Sequence, residues 1–522
     1  MSAGGRGRPA RRLLRGALAA ALAAMVVPGY APVSAQPAPP AIEDAIKSSA
    51  KSDRALKAFY RANGYRPLWI RDGGLGPEAD RLVELVASAD LDGLDPERYR
   101  PRALAAAVDK GRSGSAKALA KAETLLSRTF AAYVRDLRRP RDIGMVYVDR
   151  ELAPTQPSVR QVLAAAAGAP SLRDHLDGLR WMNPLYAGLR EGLAEYRARW
   201  GRLPQGAIPP GPTLRAGAAG ERVRLLRHRL GLPADGGFDA GVAAALRKFQ
   251  AAHGLPDDAL AGPRTLAALN ADPRHRERLI RLNLERARAL PADPGRRYIV
   301  VDAASARLWL YEDGRVRDTM RVIVGKPTEQ TPMMAGLIRH AMVNPYWNIP
   351  PDLVRKRIAL AVLDKGVSYL KAMRYEVLAD WSADARVIDP KEVDWAAIAA
   401  GRLDLPVRQL PGKDNAMGKM KFMLPNQLGI YLHDTPDKAL FRKEDRRFSS
   451  GCVRVEDAPR LARWLFGRPL APRTGAPEQQ VDLPEPVPVY ITYLTAAPAA
   501  KGIAFEEDAY DRDQPRLAGR AP

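Results

Sequence analysis

Apolar positions recur with two different periods along this chain, and the change between them divides it. From about 43 to 205 the spacing is helical. Ala55–Tyr60, Ala79–Ala89, Ala116–Leu137 and Ser158–Ala166 carry helix formers with apolar residues three and four apart. Asn63-Gly64, Gly73-Gly74 and Asp92-Gly93 punctuate this region as turns. A Pro- and Gly-rich stretch over 203–217 reads as a boundary. Beyond it Val223, Leu226 and Leu230 form one helical face ending at Gly231, and Val242, Ala245, Leu246 and Phe249 a second ending at Gly254. Pro263 opens a third helix with Leu266 and Leu269, so 215–270 predicts a small three-helix unit.

After Arg296 the period becomes two. Tyr298–Asp302 and Arg307–Tyr311 alternate as strands around the Asp313-Gly314 turn, and further strands fit at Met320–Val324, Arg339–Asn344, Lys421–Leu424, Gly429–Leu432 and Val487–Tyr493. The pattern predicts a mainly-β domain over 296–495. Helical segments and polar loops interrupt it at about 352–418, and an insertion between two strands of one sheet predicts a lid. Residues 496–522 read as a disordered tail. The fold class expected is multidomain α+β: a helical scaffold over 43–205, a three-helix module, and a β domain with an inserted lid.

Composition narrows the function. The 522 residues are 46% hydrophobic and 27% charged, which supports several packed cores and excludes a wholly disordered or collagen-like chain. The net charge of +23 favours anionic partners. The basic residues are not interleaved with aromatics in an RNA-binding pattern, so no nucleic acid is expected. Residues 1–35 read as a signal peptide: Arg6, Arg8, Arg11, Arg12 and Arg15, the apolar stretch Ala17–Val27, then Val33-Ser34-Ala35 as a cleavage site. Periplasmic export follows, with retention as an N-terminal anchor the alternative; no later segment reads as a membrane span. The six histidines are scattered without metal-ligand spacing, and neither metal nor cofactor is expected. Ser48 and Lys51 match S-x-x-K by chance, without its partner motifs. The single cysteine, Cys452, excludes an intrachain disulfide; in an exported chain it is either an incidental buried residue or a reactive thiol.

The chemistry collects around that cysteine. Tyr431-Leu432-His433-Asp434 ends a strand, and Cys452 follows His433 by nineteen residues within Ser449-Ser450-Gly451-Cys452-Val453-Arg454. Ala458, Leu461, Ala462 and Leu465 are helically spaced, which predicts a helix N-terminus next to the cysteine and a depressed thiol pKa. His433 can take the thiol proton, and Gly451 lets backbone amides approach a developing oxyanion.

These motifs resemble the L,D-transpeptidase active-site signature, a histidine at a strand end followed by Ser-x-Gly-Cys-x-Arg. Ser450 stands where family members often carry His. Val324-Gly325-Lys326-Pro327, Thr331-Pro332 and Asn344-Pro345-Tyr346-Trp347-Asn348-Ile349-Pro350 are similar to the large, lid-bearing Gram-negative members, as is Phe59-Tyr60 through Pro67-Leu68-Trp69 with Asp92-Gly93-Leu94-Asp95. Gly237-Phe238-Asp239, Leu246–Gln250, His253-Gly254-Leu255 and Gly262–Thr265 resemble the peptidoglycan-binding module, although Asp258-Ala259 replaces its usual Asp-Gly. The resemblance implies Cys452 as nucleophile, His433 as base and the Asp434 carbonyl as its orienter. It implies an oxyanion and substrate region of Ser450, Gly451, Tyr431 and Arg454, with Tyr346 and Trp347 along the groove. It implies peptidoglycan tetrapeptide stems as donor and acceptor, and glycan contact through 215–270. A wall-peptide hydrolase and a non-catalytic wall-binding scaffold are the alternatives.

Overall fold

The computed structural model describes residues 40–139, 142–179, 182–382, 384–472 and 475–518. The export signal expected over 1–35 lies outside them. Among the described residues no helix is long and apolar enough to cross a membrane.

The N-terminal region is helical, and it is organised around two buried carboxylates. Its longest helix, α1 (Ala116–Leu137), carries Glu123, which accepts from the backbone N–H groups of Leu68 and Trp69 and from Tyr60 Oη. Burial is the main influence on this carboxyl and pushes its pKa up to about 7. Asp92 accepts from Tyr133 Oη, Tyr186 Oη and Arg190 Nε at 2.7–2.8 Å. Tyr186 and Arg190 lie on α2 (Pro184–Ala198), so this carboxylate ties distant segments together.

The three-helix unit follows as α3 (Glu221–Arg229), α4 (Ala240–Ala252) and α5 (Pro263–Asn270). Gln250 holds the loop after α4 by donating to Asp258 Oδ1 and Leu260 O and accepting from Ala259 N. Ala259 sits at φ +61°, a left-handed position that explains the glycine usual there. Helix α6 (Pro273–Ala287) then leads into the β domain.

That domain is a closed sheet. In chain order its strands are β1 (Arg297–Asp302), β2 (Arg307–Glu312), β3 (Arg315–Gly325), β4 (Met334–Val343), then β5 (Met420–Met423), β6 (Leu432–His433), β7 (Val453–Val455) and β8 (Gln479–Thr492). The spatial order is β5-β6-β7-β3-β2-β1-β8-β4, and β4 pairs back onto β5, so these strands leave no open edge between them. Ile299, Val301, Leu308, Val322, Ile338, Phe422, Leu432, Val453 and Val489 fill the interior.

Two expectations need correction. The lid is inserted between neighbouring strands β4 and β5, but it begins near Asn344 rather than at 352. Trp347–Ile349 is already a strand of the lid's own four-stranded sheet, with Tyr375–Leu378, Val387–Ile388 and Val407–Gln409. The lid also has its own core, including Ile349, Leu353, Ile358, Val377, Trp395, Ile398 and Val407. The second correction is the tail. Residues expected to be disordered from 496 form a hairpin of β9 (Ala496–Ala499) and β10 (Gly502–Phe505), then helix α7 (Gln514–Ala518). Small residues allow the hairpin to dock: Ile503 packs over Gly192 of α2, and Ala504 over Gly254 at the end of α4. Phe505 joins His253, Tyr196 and Arg276 in an aromatic cluster. Short strands of Ala, Pro and Gly carry little apolar periodicity, so the docking was invisible to pattern reading.

Gly254 is at φ +66°, and an added Cβ would lie 2.4 Å from Ala504 Cβ and 2.6 Å from its Cα. Gly254→Ala is therefore expected to destabilise the protein by about 2–4 kcal/mol, from left-handed strain plus overpacking. Urea denaturation of the two proteins measures it.

Candidate active site

The short strands β6 and β7 run parallel, with Leu432 opposite Val453 and His433 opposite Arg454. Side chains alternate along a strand, and paired residues share a face. Leu432, Val453 and Val455 enter the sheet's apolar interior. Tyr431, His433, Cys452 and Arg454 take the alternate phase, and this register collects the chemistry on one face. The Tyr431 and His433 ring centroids are 5.7 Å apart. The Val453 N–H donates to Tyr431 O at 3.1 Å, locking the strand ends together.

His433 is 2% exposed, and its Nδ1 lies 2.6 Å from Asp434 O. A neutral imidazole that donates Nδ1–H there leaves Nε2 as the proton acceptor. The Asp434 carboxylate does not touch the ring; it accepts from Lys438 Nζ at 2.6 Å and Lys419 N at 2.9 Å. Burial first, and the Arg454 charge second, push the His433 pKa down to about 3.

The thiol behaves differently from expectation. Cys452 does not adjoin a helix N-terminus. Strand β7 intervenes, the helix spans Ala458–Phe466, and its first turn is capped by Asp457, which accepts from Arg460 N. Five residues, Val453 to Asp457, separate Cys452 from the first residue of that helix. Burial dominates instead and pushes the Cys452 pKa up to about 11, against smaller lowering by the Tyr431 backbone N–H and Arg454. Sγ donates to Gly429 O at 3.4 Å and not to His433. Desolvation thus pushes thiol and imidazole alike toward their neutral forms, and the hydrogen bond of the partly exposed Cys452 Sγ goes to the Gly429 carbonyl.

Around the sulfur the backbone is tightly held. Gly451 has φ +109°, and a Cβ there would lie 3.1 Å from Ile430 Cδ1, so the position requires glycine. Its N–H donates to Ser449 Oγ at 3.2 Å, and that hydroxyl donates to Cys452 O at 2.6 Å. This occupies one of the two amides expected to bind an oxyanion. Cys452 N–H has no hydrogen-bond partner among the described residues, which makes it the available donor. Ser450 is exposed, and its hydroxyl bonds the Glu329 carboxylate, lowering its pKa together with Lys326. Arg454 Nη1 stands 3.8 Å from Asp437 Oδ2 while its buried Nε has no partner. Burial lowers its pKa, and the nearby charge of lid residue Arg357 lowers it further.

Tyr346 and Trp347 lie where the inserted segment leaves the sheet. Tyr346 N donates to Glu478 Oε1 at 2.7 Å, and Arg408 of the lid lies 4.1 Å over its ring. Trp347 packs against the lid core. Lys421, opposite His433 in the sheet, donates to Glu478 Oε1 and Tyr346 O, so the start of the inserted segment is tied beside His433. Sequence reading assigned no role to Thr331, Ser449, Lys421 or Glu478. Thr331 and Ser449 carried a signal, each as part of a matched motif. Among the described residues no cluster of His, Cys, Asp and Glu could hold a metal ion.

Comparison with known proteins agrees with this architecture. Residues 54–193 match a scaffold domain, residues 222–269 a "putative peptidoglycan binding domain", and residues 296–489 the L,D-transpeptidase catalytic domain. A protein of Haemophilus influenzae named "Putative L,D-transpeptidase" is 32% identical over 240 residues, 45% of this chain. The match spans 47% of that relative, about half its length. Among solved structures, an L,D-transpeptidase from Mycobacterium smegmatis is 13% identical over 38% of this chain and 58% of its own, with a TM-score of 0.19. An L,D-transpeptidase from Xylanimonas cellulosilytica is 17% identical over 54% of this chain and 99% of its own, with a TM-score of 0.18. Three stretches of the chain thus match, in order, a scaffold domain, a putative peptidoglycan binding domain and the L,D-transpeptidase catalytic domain.

The neutral pair has a measurable signature. Iodoacetamide alkylation of Cys452 should rise with pH through an apparent pKa well above the free-thiol value of about 8.5. A midpoint below that value would mean a resting thiolate–imidazolium pair.

Proposed function

We propose that this protein is a periplasmic peptidoglycan L,D-transpeptidase that forms 3→3 cross-links, with Cys452 as nucleophile and His433 as base. The observation that supports it most is the shared face of β6 and β7, which gathers the lone thiol, an imidazole of fixed tautomer and a buried guanidinium. Export through residues 1–35 would deliver it to the wall, and residues 215–270 would contact glycan.

The donor is a tetrapeptide stem with a diaminoacid at its third position. As the Cys452 sulfur attacks that residue's carbonyl carbon, the thiol proton passes to His433 Nε2. With both groups pushed toward their neutral forms, transfer accompanies attack instead of preceding it. The oxyanion takes the Cys452 N–H, and Arg454, with an unpartnered Nε, holds a substrate carboxylate. Collapse breaks the C–N bond; the imidazolium returns its proton to the departing D-Ala amine, leaving a thioester. An acceptor-stem amine then attacks the thioester carbonyl, its proton goes to His433, and the sulfur leaves. Water in place of the amine would give a tripeptide. The lid, hinged at Tyr346 beside Lys421, favours transfer by excluding that water.

Purified protein with tetrapeptide stems should yield dimers by mass spectrometry. Cys452→Ala should abolish them, and His433→Ala should slow them about 10²–10⁴-fold, the usual worth of a positioned base. Tripeptide without dimers would favour a hydrolase, and no product a non-catalytic scaffold.

A further inference from the structure

The segment after residue 505 lies beyond the matched catalytic domain, yet it is bonded to the loop that supports the thiol. Asp508 anchors it by accepting from Tyr493 Oη at 2.9 Å, Arg512 N at 3.0 Å and Asp513 N at 2.8 Å. Tyr510 stacks on Tyr493 with centroids 5.0 Å apart, and the Arg512 guanidinium lies 5.1 and 4.9 Å from those two rings. Asp513 pairs with Arg286 of α6 at 2.7 Å, both ends buried. These contacts make a rigid platform of the segment.

From it, four hydrogen bonds reach the loop between β3 and β4. Tyr510 Oη donates to Gly325 O at 2.5 Å, and Tyr510 O accepts from Gln330 Nε2 at 3.0 Å. Arg512 Nε donates to Gln330 Oε1 and its Nη2 to Thr331 O, both at 3.0 Å. Thr331, fully buried, completes the path: its Oγ1 accepts from Gly325 N at 2.8 Å and donates to Gly451 O at 2.7 Å. The Gly451 carbonyl belongs to the peptide whose N–H is the Cys452 amide.

We propose that Tyr510 and Arg512 are positioning residues of the thiol site: they fix the 325–331 loop, and through Thr331 they fix the Gly451–Cys452 peptide. The glycine's left-handed φ makes that peptide soft unless held from outside. The C-terminal segment supplies the hold. Neither residue touches the reacting atoms. The inference rests on the transpeptidase reading for its effect on turnover, but not for its effect on the thiol.

The test uses the full chain and two readouts. Tyr510→Phe keeps the ring stack and removes only the donor to Gly325, so folding is retained; Arg512→Ala and Arg512→Lys test the second contact. Released from the loop, the thiol becomes more accessible but worse aimed. Alkylation of Cys452 by iodoacetamide should therefore rise about three- to tenfold, while kcat for dimer formation falls by a similar factor with KM unchanged, as for loss of one buried hydrogen bond. Arg512→Lys should recover part of both changes. A lowered melting temperature with wild-type alkylation in Tyr510→Phe and Arg512→Ala would overturn the proposal and leave the segment a structural strap. If wild type makes no dimers but the variants still alkylate faster, the positioning holds and the transpeptidase reading fails.

Discussion

The parallel pairing of Leu432–His433 with Val453–Arg454 is the constraint on which the site depends. Two strands of two and three residues have little stability of their own, and they are held because the sheet around them closes on itself. Their inward residues are fully buried in its interior. A slip of one residue in this register would turn His433 or Cys452 into that apolar interior and replace it on the outer face with Leu432 or Val453. The same alternation that packs the core therefore selects which side chains share the outer face.

Desolvation sets the character of the chemistry. The thiol and the imidazole are both pushed toward their neutral forms, the first up to about 11 and the second down to about 3. Arg454 works on both in the same direction, favouring thiolate and disfavouring imidazolium. Its effect is smaller than burial. In the proposed mechanism the thiolate forms only as the proton moves to His433. The other parts of the chain are joined to the β domain through specific contacts: Tyr346 with Glu478 and Lys421 at the start of the inserted segment, and the C-terminal hairpin across α2, α4 and α6.

Much of this was legible in the sequence because it is carried by local patterns. The change of period at Arg296, the helical faces of 215–270 and the His433 and Cys452 motifs all sit where the chain places them. The helix with Ala458, Leu461, Ala462 and Leu465 exists as spaced, but Val453–Val455 forms a strand before it. A three-residue strand has too little alternation to detect, and so the spacing alone places Cys452 next to the helix. The hinge strand Trp347–Ile349 and the tail hairpin escaped for the same reason. Glu123, Asp92 and Thr331 escaped for another: their partners lie far away in the chain, where no spacing rule reaches. Asp434 was assigned through its carbonyl, and that contact is present.

The central claim is that Cys452 carries the acyl group. Intact-protein mass spectrometry after brief mixing with a tetrapeptide stem tests it most directly. The account predicts an added mass equal to the donor less its terminal D-Ala, mapped by proteolysis to Cys452 and discharged by an added acceptor amine. An adduct on another residue, or dimer formation with no covalent species at the shortest accessible times and in Cys452→Ala, would contradict it.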